Sequence, residues 1–321
     1  MKLKLKVYRG FASDHRLYIS GHVFKKTDPS NFNLENSWLR YAYYMWRTFS
    51  IKTLPGVAVN LKFRDLQETV VTDENGFFKF ELEHELQIES GWHELTCTVV
   101  KDSDQVMEKG SLLKAASGYG IISDIDDTFL VSHSSSILKK IYILLTRNIN
   151  KRKIFHDVVQ HYRELAHVDR PELQPALFFY VSSSEWNLYN FIEKFTILHQ
   201  FPKAVFFLKS IKSGVFDLLA SGGGNHDHKL HRIQEILEFY PDRFFVLLGD
   251  DTQQDPFIYR DITKQFPNRI LAVYLRQVGG SPKSNVESLL SEITSKGVPN
   301  CYFENSATAR EHSKVHMENY G

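Results

Sequence analysis

Ile121-Ile122-Ser123-Asp124-Ile125-Asp126-Asp127-Thr128 is the stretch on which the reading of this chain turns. A short apolar run stops abruptly in carboxylates and a threonine. Four more runs share its apolar character, at residues 177–181, 205–208, 244–248 and 270–275. Strands that are apolar on both faces belong to buried parallel sheets. Helical periods lie between them. Phe155, Val158, Val159, Tyr162 and Leu165 form one stripe, and Leu230, Ile233, Ile236, Leu237 and Tyr240 form another, stopped by Pro241. Strands alternating with helices predict an α/β domain built on a doubly wound parallel sheet. In such sheets the site lies just past the carboxyl ends of the strands.

The residues at those ends carry chemistry. Ser182-Ser183-Ser184 follows the second run, and Gly249-Asp250-Asp251 with Asp255 follows the fourth. Asp227-His228-Lys229 precedes the helix leading into the fourth run. Carboxylates gathered at one sheet edge repel one another and lose hydration. A hard divalent cation with oxygen ligands resolves this, and Mg²⁺ suits a site with few carboxylates. Such an ion lets an anionic nucleophile approach a phosphate. A carboxylate can then attack phosphorus, and a second carboxyl can protonate the leaving alkoxide and later deprotonate water. A lysine and a serine hydroxyl can hold the transferring oxygens.

The series Asp124-x-Asp126-x-Thr128, Ser182, Lys229 and Gly249-Asp250 with Asp255 resembles the four motifs of the haloacid-dehalogenase-like phosphatases, in order and in strand placement, across residues 119–276. More narrowly, residues 123–128, 180–189, 228–229 and 249–259 look like the phosphatidate phosphatases related to the yeast actin-patch enzyme. That family also has a β-rich region before its phosphatase core. The resemblance implies Asp124 as nucleophile, Asp126 as general acid and base, and Thr128 as support of the first loop. It implies that Ser182 binds phosphate and that Lys229 steadies Asp124 and the phosphate. Mg²⁺ would be held by Asp124, the backbone carbonyl of Asp126 and Asp250, with Asp255 holding a water of the ion. The family usually has Ser after the fourth-motif Asp, whereas this chain has Asp251. Which of Asp250, Asp251 and Asp255 touches the metal is therefore open. An acid at position 126 favours ester hydrolysis, because a poor alkoxide leaving group needs a proton.

Blander readings stand beside these. Ser182-Ser183-Ser184 can cap a helix before Trp186, and we expect Ser182 at the phosphate with a later serine capping. Asp251 and Asp255 can cap the helix that opens at Pro256. His226, His228 and His231 suggest zinc, but they follow Gly222-Gly223-Gly224 and no cysteine is near. Residues 128–156 contain no acid and carry Lys139, Lys140, Arg147, Lys151, Arg152 and Lys153 around apolar residues. These basic residues fall in a cap-like insertion at 129–175. Residues 137–153 read either as a peripheral contact with anionic lipid or as a helix packed on the core.

Residues 1–112 read as a β-rich, sandwich-like domain, and 113–321 as the phosphatase domain. Strand-type residues fill 16–25, 57–63 and 95–100, and 38–49 reads as a short helix. Asn75-Gly76 between two apolar runs predicts a hairpin. After Gly279 the pattern gives a helix at 286–293, a strand at 301–303 and a polar helical end.

The 321 residues are 42% hydrophobic and 24% charged with net charge +1, which is a globular mixture with no global pull on nucleic acid. Two distant cysteines, Cys97 and Cys301, read as reduced core thiols. No signal-peptide pattern and no apolar run of about 20 residues appears. The expectation is a cytoplasmic protein, peripheral at most to a membrane, of unspecified oligomeric state. The function expected is Mg²⁺-dependent hydrolysis of a phosphomonoester, with phosphatidate as the leading substrate. The alternatives are a phosphatase for a soluble ester or phosphoprotein, and a non-catalytic membrane- or protein-binding module. A serine hydrolase has no support, since no Gly-x-Ser-x-Gly is present.

Overall fold

The computed structural model describes residues 3–25, 51–101, 104–125, 158–167, 174–209, 225–252, 254–278 and 282–317. The expected helix at 38–49, the basic segment at 137–153, and Asp126 and Thr128 lie outside them. The chain divides into two compact units, with the division after Ala115.

The first unit is all β among its described residues. Its strands are β1 Leu3–Val7, β2 Gly10–Ala12, β3 Arg16–Lys25, β4 Ala58–Phe63, β5 Leu66–Val71, β6 Phe77–Glu83, β7 Gly91–Lys101 and β8 Asp104–Lys114. They form one hydrogen-bonded sheet in the order β1-β3-β2-β8-β7-β4-β5, with β6 branching off β3. Pairing is antiparallel except between β2 and β8. Val59, Leu61 and Phe63 alternate inward along β4 and join Leu5, Ile19, Phe78, Phe80, Leu95 and Leu112 in one core. This is the period-two burial of a sheet with one apolar face.

The hairpin expected at Asn75-Gly76 does not form. The turn closes locally, with the Asp73 carboxylate accepting the Asn75 and Phe77 amides at 2.8 and 2.9 Å. Its flanking strands, however, pair with different partners, β5 with β4 and β6 with β3. Gly76 instead lies against the end of β3, where its carbonyl accepts the Val23 amide at 2.9 Å. β5 forms its hairpin with β4 instead, through Arg64-Asp65, with Phe63 opposite Leu66 and Arg64 at φ +53°. Arg-Asp is a weak local turn signal, so pairing of the buried β4 face decided the register.

The second unit holds a six-stranded sheet of β9 Gly120–Ser123, β10 Leu177–Glu185, β11 Val205–Lys209, β12 Phe245–Asp250, β13 Ile270–Arg276 and β14 Asn300–Phe303. All neighbours pair in parallel, in the order β11-β10-β9-β12-β13-β14. The chain winds outward from β9 to β11, returns to the middle at β12, and continues outward to β14. The winding reverses between β9 and β12, and parallel sheets open a crevice at such a reversal. Every residue of β9, β12 and β13 is buried, as their continuous apolar runs require.

The described helices are α1 Val158–His167, α2 Tyr189–Leu198, α3 Asn225–Phe239, α4 Asp255–Gln265, α5 Ser284–Thr294 and α6 Ser306–Met317. In α3, Ile233, Ile236 and Leu237 are fully buried, and the helix stops before Pro241. Among the described residues no helix is long and apolar enough to cross a membrane. Cys97 and Cys301 are buried free thiols, and burial pushes their pKa values up to about 12 and about 11.

Candidate active site

Registration across the sheet fixes which side chains share a face. Ser123 lies opposite Leu248, which lies opposite Tyr274, and two residues further Asp250 lies opposite Arg276. Successive residues alternate faces, so Ser123, Asp250 and Arg276 project to one face, and Asp124 and Gly249 to the other. α1 covers the first face, where the Tyr162 hydroxyl meets Ser123 Oγ at 2.8 Å. α3 and α4 cover the second, where Lys229 and Asp255 meet Asp124. The two sets converge at the strand tips, beside the winding reversal.

There Asp124, Asp250 and Asp255 each offer a carboxylate oxygen, and these oxygens lie within 4.8 Å of one another. All three residues are at most 1% exposed. Lys229, which lies inside α3 at the start of its second turn rather than ahead of the helix, is 2% exposed and puts Nζ 3.1 Å from Asp124 Oδ1 and 2.5 Å from Asp255 Oδ1. Burial pushes the Asp255 carboxyl up to about 6; Lys229 pulls it back and the charge of Asp124 adds to the rise. Thr252 orients Asp250 by donating its amide (2.6 Å) and its hydroxyl (2.7 Å) to Oδ1. The backbone holds the nucleophile candidate as well: the Asp124 amide donates to the Leu248 carbonyl at 2.9 Å. An all-oxygen set of buried carboxylates is what a hard divalent cation takes, so these residues fit Mg²⁺.

Gly249 makes this packing possible. A Cβ there would stand 2.5 Å from Asp255 Oδ2 and 2.8 Å from the Tyr259 hydroxyl, which itself donates to the Leu248 carbonyl at 2.7 Å. Gly249→Ala should therefore displace Asp255 or Tyr259 and cost about 1–3 kcal/mol of stability. Urea unfolding measures this, and an unchanged midpoint would refute the close approach.

The structure brings together four of the residues singled out from sequence: Asp124, Asp250, Asp255 and Lys229. Ser182 is fully buried at the same edge, on the neighbouring strand β10. The expected serine cap is not made. β10 runs on to Glu185, which occupies the capping position of a short 3₁₀ turn at Trp186–Leu188 without a side-chain cap bond. Ser182 Oγ instead accepts the Ser184 amide at 2.9 Å, where the β10–β11 register shifts. The helix at Pro256 likewise has Gln254 at its cap, with Asp255 in its first turn.

Asp251 turns away from the cluster. Its carboxylate accepts the Val278 amide (3.1 Å) and the Tyr302 hydroxyl (2.6 Å) and lies 3.2 Å from Lys283 Nζ. It thereby ties the loop after β12 to β13 and β14. No histidine joins the cluster among the described residues; His231 lies 3.3 Å from Glu235 on the outside of α3.

Arg276 and Tyr162 were not singled out by their chemistry. Arg276 ends the apolar run 270–275, just as Asp250 ends β12, so a charge at a strand tip was the available signal. It is 2% exposed; burial lowers its pKa to about 10, while Tyr162 and Asp250 pull the other way. Tyr162 looked like one more member of the α1 apolar stripe. Its hydroxyl contact with Ser123 depends on a partner 39 positions away.

Residues 119–277 match the family model described as "Phosphatidate phosphatase APP1, catalytic domain". The chain is similar to phosphatidate phosphatase APP1 of Saccharomyces cerevisiae, at 30% identity over 187 residues, 55% of this chain and 29% of that protein. It is also similar to an uncharacterized protein of Schizosaccharomyces pombe, at 26% identity over 50% of this chain and 25% of that one. The chain thus spans under a third of the length of these two curated relatives. Among solved structures, a carbohydrate acetylesterase from Xanthomonas citri aligns with 90% of this chain and 65% of its own, at 13% identity and a TM-score of 0.31. A score that low does not establish a shared fold.

Proposed function

We propose that this chain is a Mg²⁺-dependent phosphatase with a haloacid-dehalogenase-like core, which hydrolyses phosphomonoesters through a phospho-aspartate on Asp124. Phosphatidate is the proposed substrate, giving diacylglycerol and inorganic phosphate. The observation that carries the reading is the buried Asp124–Asp250–Asp255–Lys229 cluster, placed at the winding reversal within the stretch that matches the phosphatidate phosphatase family model.

The chemistry follows from these groups. Mg²⁺ held by Asp124 and Asp250, with Asp255 beside them, would supply the positive charge that lets a phosphate approach carboxylates. An Asp124 oxygen attacks phosphorus, and the bond from phosphorus to the alcohol oxygen breaks. Asp126, two residues on, gives its proton to the departing alkoxide. It then takes a proton from water, whose oxygen attacks phosphorus, releasing phosphate and restoring the Asp124 carboxylate. Lys229 steadies and aims Asp124, because its ammonium lies 3.1 Å from the attacking carboxylate. Ser182 donates to a phosphate oxygen. The roles of Asp126 and Thr128 rest on their places in the sequence, as does a peripheral lipid contact through 137–153 of a cytoplasmic enzyme.

Phosphate release from phosphatidate vesicles and from soluble phosphate esters, each with Mg²⁺ or with a chelator, tests the proposal. Chelator-sensitive release from the vesicles is expected. Release from soluble esters alone removes the lipid substrate and leaves the phosphatase. No release from either removes both.

A further inference from the structure

We infer that Arg276 is a positioning residue whose buried charge, fixed beside Asp250, sets the balance between cation affinity and phosphate affinity at this site. The inference rests on the phosphatase reading above. Asp250 and Arg276 are partners in the β12–β13 ladder, and neighbouring strands stand only about 5 Å apart. Their side chains therefore leave the sheet on the same face, next to each other. The Arg276 guanidinium lies over the Phe303 ring, 4.8 Å from its centroid. It donates to the Glu304 carbonyl at 3.0 Å and to Ser306 Oγ at the start of α6. These contacts help to fix where the charge stands. The backbone adds a further link, since the Asp251 amide donates to the Arg276 carbonyl at 3.1 Å.

The electrostatic consequence has two opposite signs. A fixed cation near the carboxylates weakens their hold on Mg²⁺, yet it strengthens the hold on an incoming phosphate. Lys229 does the same from the opposite face, but it contacts Asp124 directly. Arg276 instead acts on Asp250, its partner in the ladder, whose charge it feels. A residue that served only to brace β13 against α6 would, when removed, loosen the site and weaken both ligands together.

Calorimetric titration of the full chain with MgCl₂, then with inorganic phosphate at saturating Mg²⁺, separates the two roles. Arg276→Met should bind Mg²⁺ more tightly and phosphate more weakly, each by about tenfold. Arg276→Lys, which keeps the charge, should return both constants to within about threefold of the native protein. Parallel weakening of both ligands in Arg276→Met, or no change in either, overturns the inference while leaving the phosphatase reading in place. If Arg276→Met does not fold, near-native constants for Arg276→Lys support the inference and joint weakening overturns it. Absence of Mg²⁺ binding by the native chain overturns both this inference and the reading beneath it.

Discussion

Asp124→Asn is expected to slow phosphate release by on the order of 10³-fold or more, while folding at least as stably as the native chain without metal. The amide has nearly the shape of the carboxylate, so packing at this buried position changes little. It is a far poorer nucleophile, and it cannot form the acyl phosphate on which the proposed route depends. Stability should move the other way. Three carboxylates within 4.8 Å face one ammonium that touches two of them, so neutralising one removes like-charge repulsion from a buried site. Turnover assays and thermal unfolding in a chelating buffer check both halves. Native turnover in this variant would mean that Asp124 is not the group attacking phosphorus.

The second large effect falls on Lys229. Lys229→Met should lose about 3–5 kcal/mol of stability in metal-free buffer, because it leaves two buried carboxylates without the cation that touches them. The deficit should grow with pH. Asp255, whose folded pKa already stands at about 6 against an ordinary 3.8, must rise further once Lys229 is gone. A carboxyl whose folded pKa is raised binds protons more readily folded than unfolded. Stability therefore falls as pH climbs from the ordinary carboxylate range through the raised folded value. Urea unfolding at pH 5 and pH 8 measures this. A loss under about 1 kcal/mol at pH 8 would show that the pairs carry little of the fold's stability.

Much of the second unit could be read from local pattern. Residues 177–181, 245–248 and 270–275 are apolar because they are buried on both faces, and that demand shows in a sequence without a partner being known; Phe244, just ahead of β12, is exposed. The acids at the strand tips were equally visible. A carboxylate directly after an apolar run cannot be core, so it is either solvated or used. Asp124 and Asp250 carried that signal, Asp255 followed in the same polar loop at the start of the next helix, and Lys229 stood ahead of an apolar stripe. The strand pairings of the first unit were harder. Asn75-Gly76 has the local chemistry of a hairpin turn, yet β5 and β6 join different strands, because pairing is settled by buried faces far apart in sequence.

What the sequence alone determined is the set of elements and the kind of chemistry at their ends, since both follow from short-range periodicity and from residue type. Only the tertiary structure separated Asp250 from Asp251. Alternation sends neighbouring side chains to opposite sides, and the neighbours across β13 and β14 then bind Asp251 to Val278, Tyr302 and Lys283 and leave Asp250 with the cluster. Only the tertiary structure brought Arg276 beside Asp250, because that proximity comes from strand register across 26 residues of chain and has no local trace.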